Sequence, residues 1–165
     1  MAEIGFYHLT RSSAESALPQ LLGRTLAAGE RAMVLCASDE RVAALDAALW
    51  LSARPDWLPH GTAQSGNAEL QPIWLAAADP GTPPNGARFL FLIDGAGAAR
   101  LDPYPRVFDL FDGGNPEAVE AARERWREAR AAGHALTYWQ QTDKGWERKA
   151  QVAARVAARA PEETS

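Results

Sequence analysis

The residues of this chain best suited to bind something sit together in the stretch NPEAVEAARERWREARAAG, 115–133. Guanidinium groups form planar, paired hydrogen bonds to carboxylates. An indole beside them supplies an apolar wall, so Arg123, Trp126 and Arg127 suit an acidic peptide that ends in a bulky apolar residue. The spacing predicts a single helix. Asn115 is a good N-cap, Pro116 suits the first helical position and Gly133 the left-handed terminator. At about 100° per residue, Val119, Arg123, Arg127 and Arg130 share one side, and Ala118, Ala121, Ala122, Ala129 and Ala132 share the other. Trp126 falls at the margin between them. A plainer arrangement is also open: Arg123 paired with Glu120, and Arg127 with Glu124 or Glu128, on a solvated face, with Trp126 in the core. Arg125 projects from the alanine side, which predicts a pairing with Asp109 or Asp112, because unpaired buried charge is costly.

Catalytic chemistry finds less support. Asp94 ends the apolar run FLFLIDG, a pattern similar to the strand-end aspartate that holds magnesium in nucleotide hydrolases. A nucleotide-binding hydrolase of α/β architecture is therefore the alternative function, against an ordinary Asp-Gly turn. Neither GxGxxG nor GxxxxGK[ST] occurs to cradle phosphate, and there is no GxSxG nucleophile elbow. His8, His60 and His134 stand far apart with no HExxH spacing, so no metal site is expected. The single cysteine, Cys36, allows no internal disulfide and reads as a small buried apolar residue. No catalytic constellation emerges and no cofactor is expected; the reading is a non-enzymatic binding protein.

These residues must be positioned by a scaffold. Apolar periodicity predicts strands at EIGFYHL, RAMVLCA, PIWLAA, FLFLIDG, RVFDLFD and ALTYWQQT, and helices over Ser13–Gly29 and SDERVAALDAALW. The alternation implies an α/β fold, a three-layer Rossmann-like domain with a mostly parallel sheet flanked by helices. HGTAQSGNAELQ and ADPGTPPNGA read as surface loops. Residues 1–146 form the expected domain; 147–165 are expected to form a basic C-terminal helix and a frayed tail.

Charge is unevenly spread. From Arg123 to Arg159 nine basic residues face four acidic ones, a balance of +5 against −9 for the remainder of a chain of net −4. A basic region on an acidic body argues against general coating of nucleic acid and for a local anionic partner. Direct DNA contact through Lys144, Arg148, Lys149, Arg155 and Arg159 is expected to be weak or indirect. No long apolar run spans a membrane and the N-terminus lacks an export signal, which points to the cytoplasm.

Five segments in order carry a family resemblance: FYHL near the start, LDAALW at 45–50, WLPHG at 57–61, ARERW followed by AAGH at 122–134, and a tryptophan-containing final strand. Together they resemble the chi subunit of bacterial DNA polymerase III holoenzyme, over about residues 1–146. The resemblance implies a non-catalytic replication adaptor with a nucleotide-binding fold that has lost its nucleotide site. Its implied partners are the acidic, phenylalanine-ended C-terminal tail of single-stranded DNA-binding protein and, where it exists, the psi subunit that joins the clamp loader. It implies tail-binding roles for Val119, Arg123, Trp126 and Arg127; the position of Val119 can be lysine in the family. For psi or clamp-loader contact it implies Trp50, Trp57 and Pro59, with ordinary packing as the alternative for both tryptophans.

Overall fold

The computed structural model of the chain describes residues 2–52 and 58–155. The elements run β1 (Glu3–Leu9), α1 (Ala14–Ala27), β2 (Ala32–Leu35), α2 (Asp39–Leu51), β3 (His60–Thr62), β4 (Ile73–Ala76), β5 (Phe89–Ile93), β6 (Arg106–Asp112), α3 (Pro116–Ala131), β7 (Ala135–Thr142) and β8 (Gly145–Val152). All eight strands join one sheet in the order β3-β4-β2-β5-β6-β1-β7-β8. Every pairing is parallel except β7 with β8. This is the three-layer Rossmann-like arrangement that the alternation of apolar runs predicts, because strands covered on both faces are apolar throughout.

Side chains alternate across the sheet and build two cores. On one face Tyr7, Leu9, Val34, Phe91, Phe108 and Leu110 pack against α1 and α2. On the other, Ile4, Phe6, Leu35, Leu92, Val107 and Phe111 pack against Val119, Ala122, Trp126 and Ala129 of α3 and against Tyr104.

Local signals set α3 much as its sequence predicts. The Asn115 side chain accepts hydrogen bonds from the amides of Glu117 and Ala118, Pro116 opens the helix, and Gly133 follows its end at φ +86°. Its packing stripe, however, is turned relative to the expected one. Ala118, Val119, Ala122, Arg125, Trp126 and Ala129 are buried or half-buried, whereas Ala121 and Ala132 are exposed. Small size alone does not decide which alanines face the sheet; the long side chains of Arg125 and Trp126 reach the core and rotate the stripe toward themselves.

Two other expectations are corrected. The helix expected beyond Gly145 is instead strand β8, antiparallel to β7, with an irregularity between Tyr138 and Trp139. The two-residue turn Asp143-Lys144, with Gly145 at φ +115°, brings WERKAQV back along β7, and its backbone bonds satisfy an edge that would otherwise stay open. The sheet therefore extends past residue 146, where the domain was expected to end, and residues 156–165, with Arg159, lie outside the described part. The second correction is β3, which forms within HGTAQSGNAELQ, the stretch read as loop.

After β8 the chain returns to α3. The Arg155 amide donates to Gly133 O at 3.0 Å and its guanidinium to Arg130 O at 2.8 Å, so a cation sits on the carbonyl end of the helix.

The pairing expected of Arg125 is made with Asp109. Nε donates to Oδ2 at 2.7 Å and Nη2 to Oδ1 at 2.9 Å, in the paired geometry that joins α3 to the middle of β6. Asp109 is only 2% exposed. Burial pushes its carboxyl above the ordinary aspartate range, and the Arg125 guanidinium pulls it back. Replacing Arg125 with alanine strands that carboxylate and is expected to cost about 3–5 kcal/mol. With its cation gone, Asp109 titrates still further above its unfolded value, so the native state of the variant is penalised less at acid pH and more as pH rises. Urea denaturation at pH 5 and pH 8 checks this: the loss in the variant relative to the parent should be larger at pH 8.

Candidate functional site

Of the residues predicted to bind, Val119 and Trp126 pack on the sheet and Arg123 and Arg127 stand on the exposed side of α3. Trp126 is half-buried, its ring edge-on to Phe6 of β1 at 5.3 Å and to Tyr138 of β7 at 5.9 Å. Phe6 and Tyr138 are cross-strand partners, so the two strands present one aromatic bed to the helix. The bed continues through His8, which stacks on Phe111 at 5.1 Å and whose Nδ1 lies 2.8 Å from the Tyr138 hydroxyl. Trp126 is thus neither sealed in the interior nor free in solvent: it packs on the bed and keeps part of its ring at the surface.

Arg123 and Arg127 flank it with side chains 62% and 61% exposed. Their partners are Glu120, 3.6 Å from Arg123 and 4.0 Å from Arg127, and Glu124, 2.9 Å from Arg127. Exposed pairs of this kind contribute little stability, so they hold the guanidinium groups loosely and leave them exchangeable for an incoming carboxylate. The arginines are thus paired on a solvated face, next to an indole that is packed on the core and half-buried. Val119 packs on the same aromatic core at the edge of the arginine row.

The field of Arg123 reaches the bed. Burial lowers the pKa of His8 below the ordinary histidine value, a hydrogen bond with the Gly113 backbone raises it, and the Arg123 charge lowers it again. Burial raises the pKa of Tyr138, and Arg123 opposes that rise. Gly113 is packed tightly here: its amide donates to Leu9 O at 2.7 Å, and a β-carbon at this position would stand 2.3 Å from the His8 ring.

Sequence reasoning missed His8, Phe111 and Tyr138 as parts of this site. Strand alternation could have placed His8 and Tyr138 on one face, since Phe6 and His8 are two apart on β1 and Tyr138 lies opposite Phe6.

The residues at the far side of the molecule do not join this site. Trp50, at the end of α2, is 64% exposed and Leu51 83% exposed, an apolar pair the sequence reading recognised only through the tryptophan. The Trp50 ring tilts against His60 at 4.7 Å, and Pro59 is half-buried. Trp57 lies outside the described residues.

Asp94 occupies the crevice at the carboxyl ends of the strands, a place where α/β sheets commonly hold ligands. Here a cavity of about 430 Å3 is lined by Thr10, Arg11, Glu15, Arg41, Asp94 and Asp112 among others. Arg41 pairs with Glu15 and donates Nε to Asp94 Oδ2 at 2.5 Å. Asp94 has φ +55° and Gly95 φ +81°, which is turn geometry. A nucleotide phosphate entering this crevice would meet three carboxylates, and its one buried-side cation is already shared between two of them. Cys36 nearby is buried with its thiol pushed up to about 12, as suits a packing residue. Among the described residues no group of three metal-ligating side chains converges, and no helix is long and apolar enough to cross a membrane.

Comparison with known proteins gives one finding. The family model described as DNA polymerase III chi subunit, HolC, matches residues 1–137, from β1 through all of α3 into the start of β7. No curated protein matches the chain.

The coupling between arginine and bed can be measured. By NMR titration His8 should protonate below the ordinary histidine value, and Arg123→Ala should move that midpoint upward by removing a nearby positive charge. An unmoved or lowered midpoint would separate Arg123 from the aromatic bed.

Proposed function

The chain belongs to the DNA polymerase III chi subunit family, and from that premise we propose that it is a replication adaptor whose α3 face captures the acidic C-terminal tail of single-stranded DNA-binding protein. Chi subunits are non-catalytic accessory parts of the polymerase III holoenzyme, so the activity to look for is capture of a partner. The observation that carries the reading is a half-buried indole, on a bed of Phe6 and Tyr138, with two guanidinium groups of the same helix more than 60% exposed.

Each part has a task. The exposed arginines exchange their loose glutamate partners for the carboxylates of the tail, including its terminal one, with little loss of intramolecular stability. The open part of Trp126 takes the terminal phenylalanine, whose ring prefers an edge-on or offset approach to another aromatic. Val119 supplies apolar contact where a family lysine would add charge. The exposed pair Trp50 and Leu51, with Pro59 and Trp57, is assigned to contact with psi or the clamp loader. An interface anchored by an aromatic in this way needs no contribution from the α3 face.

A synthetic peptide ending in Asp-Ile-Pro-Phe should bind at micromolar strength, about −8 kcal/mol, and more weakly as salt is raised. Arg123→Ala and Trp126→Ala should each reduce affinity by about tenfold or more, whereas Val119→Lys should strengthen it by adding a cation whose stem can lie along the apolar margin. Isothermal titration calorimetry reads all three; unchanged affinity in both alanine variants removes α3 from the mechanism.

A further inference from the structure

The β7–β8 hairpin builds a second basic and aromatic surface, on the face of the sheet opposite α3. A cleft of about 370 Å3 opens between α1 and the hairpin, lined by Arg11, Arg24, Trp139, Lys144 and Trp146 together with polar side chains. The two indoles share one support, the buried ring of Tyr7. Trp139 lies nearly parallel to it, with centroids 6.2 Å apart and 8° between planes, and Trp146 meets it edge-on at 5.1 Å. Both remain half-buried, anchored on one side and lining the cleft on the other.

The cations around them are largely uncommitted. Arg148 is the cross-strand partner of Trp139 and so stands on the same face of the sheet. Arg24, Lys144 and Arg148 are exposed and form no ion pair with any described residue, while Arg11 pairs with Asp143. Unpaired like charges gathered on a chain of net −4 carry a standing repulsion that an anionic ligand relieves. The cleft is also held in shape. Gln141 of β7 accepts hydrogen bonds from the amides of Arg11 and Ser12 at 3.0 and 3.1 Å, and its Nε2 donates to Ser12 Oγ at 2.7 Å, locking the turn after β1 to the hairpin.

We propose that this hairpin face binds single-stranded nucleic acid, with bases against Trp139 and Trp146 and phosphates on Arg24, Lys144 and Arg148. Two features favour that ligand over an acidic peptide. The cleft has polar walls, with Gln20 and Gln141 among its lining, and offers no deep apolar socket for an anchoring side chain. It does offer ring surfaces beside spaced cations, the combination that serves a strand whose bases and phosphates recur together. Trp139, Lys144, Trp146 and Arg148 all lie beyond the family match, which ends at residue 137. The inference does not draw on the tail-binding reading of α3, which concerns the opposite face.

Fluorescence anisotropy with a labelled twenty-nucleotide oligothymidylate at low salt tests it on the full chain. The parent should bind with salt-dependent affinity. The double variant Arg24→Glu, Arg148→Glu, altered only at exposed positions, should bind at least about tenfold more weakly, and its log K should fall less steeply with log salt, by about 1.4 for two lost phosphate contacts. Trp146→Leu, with folding verified by thermal melting, should weaken binding further than charge loss alone explains. Arg123→Ala should leave oligonucleotide binding intact while losing the tail peptide, which separates failure of this inference from failure of the other. Equal binding by the double variant, loss confined to Arg123→Ala, or displacement of the oligonucleotide by polyglutamate at matched charge would each overturn the proposal.

Discussion

Everything the α3 face does depends on one buried ion pair. Arg125 and Asp109 join helix to sheet through two parallel hydrogen bonds, and the carboxylate has almost no access to water. Such a pair adds little net stability compared with a well-packed apolar substitute, because desolvating both charges offsets most of their attraction. What it fixes is orientation. With Arg125 tied to the middle of β6, neither rotation nor sliding of the helix is free, and Trp126, the next residue, must fall over Phe6 and Tyr138. Arg123 and Arg127, about 60° and 100° round the helix from Trp126 on the side away from Arg125, then face solvent.

The same strand divides the labour between the two faces. Successive residues of β1 point in opposite directions, so Phe6 supports Trp126 while Tyr7 supports Trp139 and Trp146. A register slip of one residue would exchange these aromatic supports. The parallel ladders to β6 and β7 on both sides hold β1 over nearly its whole length, which makes such a slip unfavourable.

Much of this was legible in the residues. Strong apolar runs gave six strands close to their true limits, and caps gave the ends of α3, because those signals are local and chemically specific. The C-terminal strand was not legible. WERKAQV is followed by more helix formers, and its own β conformation comes from the free edge of β7, a partner that propensity does not register. The helix stripe was misjudged for a related reason: Arg125 meets Asp109 as its position predicts, but the sheet also draws in Val119 and Trp126, whose partners are distant in sequence, and leaves Ala121 and Ala132 exposed. At the site, the arginines and the tryptophan could be named because their types and spacing are unusual. His8, Phe111 and Tyr138 could not, since each looks like an ordinary strand residue until the parallel register sets them side by side.

The two ends of the sheet differ from its middle. β3 contributes only three residues, and β8 carries the consecutive charged residues Glu147, Arg148 and Lys149. A short border and a charged border are both poor templates for another chain, since backbone pairing would require stripping water from side chains that gain no partner. Copies of this molecule are thereby discouraged from stacking strand to strand into fibres, even at high local crowding. Whatever assembles on it must use the broad flat surfaces, where side chains and not the backbone decide who is admitted.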